Sequence, residues 1–80
     1  MRELKVKLNE IEKLKEFELI VARCEFDVDA VSTANSRYVI DAKSVMGLLA
    51  LDLSKPISIV AYKDDADADR FFEAIKKFEA

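Results

Sequence analysis

The apolar residues of this chain recur with two different periods, and the points where one gives way to the other constrain the fold more than any other feature. Glu3, Lys5 and Lys7 alternate with Leu4, Val6 and Leu8. Period two gives a strand one wet and one buried face over residues 3–8. Asn9 follows, with Glu12 three residues on, the pattern of an N-cap whose partner reaches back to it. A helix is expected from there to about Arg23, its stripe formed by Ile11, Leu14, Phe17, Ile20, Val21 and Cys24. Phe26, Val28 and Ala30 then alternate with Asp27 and Asp29, which predicts a second strand. Asn35-Ser36 is a turn signal, and Tyr38 to Asp41 reads as a third strand folded back as a hairpin.

Ser44 precedes a short apolar run, Val45, Met46, Leu48, Leu49 and Leu51, and is expected to cap a short helix. Pro56 has no N–H for a ladder, so it fits the first residue of a strand that runs from Ile57 to Tyr62. The last helix starts near Asp65, with Ala68, Phe71, Phe72, Ile75 and Phe78 on one side. Asp64, Asp65 and Asp67 stand at its positive end and Lys76 and Lys77 at its negative end. The order is βαββαβα. It implies one α+β domain over residues 1–80, a four-stranded antiparallel sheet with three helices on one face, an open-faced sandwich. Phe17, Val21, Phe72 and Ile75 are expected to be buried against Val6, Val28 and Ile59.

Charge and composition remove several function classes. Thirteen basic residues are interspersed with sixteen acidic ones for a net charge of -3, whereas nucleic-acid binding needs a basic patch, so no nucleic-acid partner is expected. No apolar stretch approaches the roughly 20 residues of a membrane span, and Met1-Arg2-Glu3-Leu4-Lys5 lacks the apolar segment of a signal peptide. With a single cysteine, Cys24, the chain can form no internal disulfide, and a soluble cytoplasmic protein is expected. There is no histidine. A metal would have to rest on carboxylates such as Asp64, Asp65, Asp67 and Asp69. These lack the glycine and distal glutamate of a calcium loop and sit where a helix start favours negative charge, so no metal is expected. No Gly-rich loop cradles a phosphate, and Cys24 lies on an apolar stripe without a base. No cofactor and no enzymatic activity are expected.

The run Ala42-Lys43-Ser44-Val45-Met46-Gly47-Leu48-Leu49 resembles the signature around the regulatory serine of the HPr family, the phosphocarrier proteins of the bacterial sugar phosphotransferase system. The element order resembles that family along the whole chain. The resemblance implies a domain that works by protein contact. Ser44 would be the site of a kinase/phosphorylase, and a transcriptional regulator would dock on the phosphorylated form. Lys43, Val45, Met46, Gly47 and Leu49 would make the contact surface, with Gly47 letting another chain approach the backbone. A helix this short has one outward face, so one or two of Val45, Met46 and Leu49 are expected in the core.

The family's other motif, Gly-hydrophobic-His-x-Arg-Pro at the start of the first helix, is absent. That region reads Asn9-Glu10-Ile11-Glu12-Lys13-Leu14-Lys15-Glu16, and the acceptor position falls on Glu12 or Lys13. A chain without histidine cannot carry a phosphohistidine, and Glu12 and Glu16 would repel an incoming phosphoryl group. Two readings of Ser44 stay open. As an N-cap it contributes about 1 kcal/mol and needs no further role. As a regulatory serine, its phosphate would meet free N–H groups at a positive helix end. The rival to a regulatory module is a structural or oligomerisation protein that keeps only the fold, and the sequence leaves the oligomeric state open.

Overall fold

The computed structural model describes residues 1–34 and 38–80, so the turn expected at Asn35-Ser36 lies outside the described residues. The elements are β1 (Arg2–Val6), α1 (Ile11–Ala22), β2 (Val28–Ser32), β3 (Val39–Asp41), α2 (Val45–Leu49), β4 (Ile57–Ala61) and α3 (Ala66–Ile75), with a 3-10 turn at Lys76–Phe78. The strands form one sheet in the order β1-β4-β2-β3, every neighbouring pair antiparallel. It is the four-stranded, three-helix open-faced arrangement expected from the two periods, consistent with an HPr-like sandwich.

Register decides which face is dry. Leu4 stands opposite Ile59 and Val6 opposite Ile57 across β1 and β4, while Val28 and Ala30 face Ala61 and Ile59 across β2 and β4. These side chains share one core with Leu14, Phe17 and Val21 of α1, Leu48 of α2 and Phe71, Phe72 and Ile75 of α3. The expected set Phe17, Val21, Phe72, Ile75, Val6, Val28 and Ile59 is buried throughout. Phe17 meets the ring of Phe78 edge-on at 6.1 Å, which carries the last turn down onto α1. On the other face of the sheet, the Ser58 hydroxyl donates to the Glu3 carboxylate.

The outer edge of β1 is covered at its end by the C-terminal residues. The Lys7 N–H donates to the Phe78 carbonyl at 2.8 Å and the Ala80 N–H to the Lys5 carbonyl at 2.9 Å. This satisfies ladder groups that an edge strand would otherwise present.

Element ends differ from the sequence reading in physical detail. The capping box at Asn9 does not form: α1 starts one residue later, with Glu10 as N-cap and no side-chain cap bond. Glu12 is thereby moved off the third helical position, which Lys13 takes instead, and the reciprocal pair is lost. Strand β1 stops at Val6, and β2 starts at Val28. Phe26 stacks edge-on against Phe71 at 5.8 Å. Strand β4 ends at Ala61, leaving Tyr62 exposed. At α3 the expected cap is present. The Asp65 carboxylate accepts from the N–H groups of Asp67 and Ala68 at 3.0 and 3.1 Å, and both bonds hold its carboxyl below its ordinary value.

Candidate functional site

The turn between β3 and α2 is built by Asp41. Its carbonyl accepts from the Ser44 N–H at 2.9 Å and its carboxylate from the Lys43 N–H at 2.9 Å. The Ala42 side chain is buried, and its N–H donates to the Val28 carbonyl at 2.8 Å, which anchors the turn to β2. Ser44 is extended, with φ -92 and ψ 106, and its Oγ accepts from the Gly47 N–H at 3.0 Å. Its carbonyl takes the Leu48 N–H at 3.0 Å. Ser44 is thus an N-cap in geometry, and it is exposed. Lys43 beside it is exposed too.

Leu48 is the residue that α2 commits to the core. Val45, Met46 and Leu49 are 47%, 80% and 55% exposed, so none of the three is core, contrary to the expectation that one or two would be. The reason is the closeness of α2 to β3. A Cβ on Gly47 would stand 3.1 Å from Ile40 Cδ1 and 3.2 Å from Ser44 Oγ, so glycine lets the helix lie against its own hairpin and keep its own cap. Gly47 and Leu48 fill the inward side, and Leu51 and Leu53 beyond the helix pack on the core. The other side chains of α2 face outward.

The outward face continues onto α1. Leu49 and Leu53 form one wall of a shallow depression of about 130 Å³, and Leu8, Ile11 and Leu14 form the other. Ile11 is 62% exposed, although it belongs to the apolar stripe of α1. Nothing in the sequence separates it from Leu14. Its exposure comes from its place at the first helical position, at the rim where α1 and α2 meet. Glu12 and Lys13 occupy this same first turn, Glu12 exposed and Lys13 half-buried.

Three other groups close the account of the chemistry. Burial raises the Glu18 carboxyl above its ordinary value, the Asp41 carboxylate adds to the shift, and Glu18 Oε1 is buried without a hydrogen-bond partner among the described residues. Burial also pushes the Cys24 thiol up, against a smaller opposite effect of Lys43, so the sulfur is protonated and poorly nucleophilic at neutral pH. The aspartates of α3 are engaged in structure: Asp65 caps, Asp67 pairs with Arg70 and Lys63, and Asp69 pairs with Arg2. Among the described residues no three potential ligands converge on a metal position, and no helix is long and apolar enough to cross a membrane.

Comparison with protein-family models and with curated proteins gives no match.

Proposed function

We propose that this chain is an HPr-like regulatory module of the bacterial sugar phosphotransferase type, acting in the cytoplasm through protein contact and not through a phosphohistidine. The observation that carries the proposal is an exposed serine at the head of a helix whose outward side chains, Val45, Met46 and Leu49, are all exposed and apolar. Three exposed apolar side chains on one short helix form a grouped surface, and a docking face uses residues such as Met46 as adaptable contacts. The run from Ala42 to Leu49 and the open-faced sandwich support the HPr-like part of the reading. Phosphorylation of Ser44 would place about two negative charges beside Lys43 and next to the apolar face, changing what can dock there.

The test is incubation of the purified chain and its Ser44→Ala variant with an HPr kinase and ATP, read by intact-mass spectrometry. Stoichiometric phosphate on the wild type alone is expected. Phosphate on neither protein would leave Ser44 as a cap and favour the fold-only module, whose apolar α2 face would serve assembly. A companion reaction with phosphoenolpyruvate and the general phosphotransfer enzyme should leave no acid-labile phosphate, since there is no histidine to take it.

A further inference from the structure

Away from the Ser44 surface lies a second concave region, a cleft of about 760 Å³ between the end of α1 and the length of α3. The volume falls within the roughly 300–1,000 Å³ common to small-molecule sites. Its apolar lining comes from three separate parts of the chain: Ile20 on α1, Phe26 in the connection to β2 and Phe71 on α3. The rings of Phe26 and Phe71 meet at 89°; Phe71 is buried, and the half-buried Phe26 carries the ring surface open to the cleft.

Three cations line the cleft, Arg23, Lys63 and Arg70, together with Glu25 and Asp67. Two of them are engaged: Asp67 pairs with Arg70, and Lys63 stands 3.3 Å from Asp65 and 3.7 Å from Asp67. Lys63 also stands over the Phe26 ring, 5.6 Å from its centre. Arg23 is in no ion pair among the described residues, so its planar fork of donors is available to a ligand. Cys24, also in the lining, adds no competing negative charge, because burial keeps its thiol protonated.

We infer that the cleft between α1 and α3 binds a small aromatic anion, its ring against Ile20 and Phe26 and its acid group on Arg23. An apolar lining with an unpaired guanidinium rewards a molecule that carries both parts. A neutral arene leaves Arg23 unused, and a bare anion leaves the apolar lining uncovered. The acid group can be a carboxylate or a phosphate, since a guanidinium matches either. The cleft shares no lining residue with the depression beside α2, so this inference and the proposed function stand or fall separately.

The experiment is an amide NMR titration of the full chain with four probes: phenylacetate, phenyl phosphate, benzyl alcohol and inorganic phosphate. Saturable shifts centred on Ile20, Arg23, Cys24 and Phe26 are expected with at least one aryl anion, and the tighter of the two identifies the acid group. Benzyl alcohol and inorganic phosphate should bind at least about tenfold more weakly than that anion, since each lacks one of the two contacts. Arg23→Gln, a change at an exposed side chain, should weaken the aryl anion about fivefold, the scale of one exposed charge contact. Met46→Ser on the other surface should leave binding unchanged. No saturable shift in the cleft, shifts confined to α2, equal binding of benzyl alcohol or inorganic phosphate, or an Arg23→Gln variant that binds as well as wild type would overturn the inference.

Discussion

Phe17 and Ile11 belong to one helical stripe, yet the structure gives them opposite fates, and truncating each to alanine measures the difference. Phe17 is fully buried and holds the ring of Phe78 edge-on at 6.1 Å. Removing a buried phenyl ring costs about 3–5 kcal/mol, from lost transfer free energy and the cavity left behind. A chain of 80 residues has a total stability of roughly 4–12 kcal/mol. Phe17→Ala should therefore remove a large share of it and lower Tm by about 12–40 °C, since each kcal/mol shifts a domain of this size by about 4–8 °C. Ile11 is 62% exposed, so Ile11→Ala should stay within about 0.5 kcal/mol of wild type. Urea unfolding followed by far-UV circular dichroism reads both, with m near 1 kcal/mol/M for a small domain. A loss below about 1.5 kcal/mol for Phe17→Ala, or equal losses for the two variants, would refute the placement of α1 on the sheet.

Three further outcomes follow from the geometry. Ser44→Ala should cost about 1 kcal/mol in the same urea experiment, because it strips the acceptor from the Gly47 N–H, and a variant as stable as wild type would show that the cap is not formed in solution. Glu18 holds its proton more tightly in the folded state, so its contribution to stability falls as pH rises from the ordinary value of 4.5 through the raised one. Glu18→Gln should accordingly raise the urea midpoint at pH 7 and lose that advantage below pH 4.5, and a variant less stable at pH 7 would contradict the uncompensated burial of this carboxyl. Cys24 should react with iodoacetamide more slowly than a free cysteine at pH 8, because burial disfavours its thiolate, with the difference vanishing in denaturant.

How far local pattern reaches is visible in α3 and α1. At α3 the cap residue Asp65 and the inward positions Ala68, Phe71, Phe72 and Ile75 are those the spacing predicts, and Phe78 is buried from the 3-10 turn that follows. The helix is strongly two-faced and its cap is a local carboxylate-to-amide bond, so neighbours along the chain suffice. At α1 the Asn9–Glu12 pattern is as good a local signal, yet the helix starts at Ile11. A shift of one residue there depends on how β1 hands over to the helix across the sheet, which no window of sequence contains.

The Ser44 surface divides in the same way. The capping serine was legible, because a cap bond spans three residues. The exposure of Val45, Met46 and Leu49 together was not, since it depends on Gly47 letting α2 close on Ile40, a partner from the preceding hairpin. Ile11 joins that surface from a separate part of the chain. The cleft at Phe26 and Phe71 is likewise assembled from residues more than forty positions apart.

By itself the sequence determined the kind and order of the elements, the dry face of β1 and β2 and most of the core, because period and capping are properties of neighbours. It also ruled out phosphohistidine chemistry, by composition alone. Tertiary structure decided where α1 begins, which apolar residues of α1 and α2 remain in water, and which charges gather around the cleft. Those outcomes are set by how closely elements distant in the chain can pack, and that distance is written in no single segment.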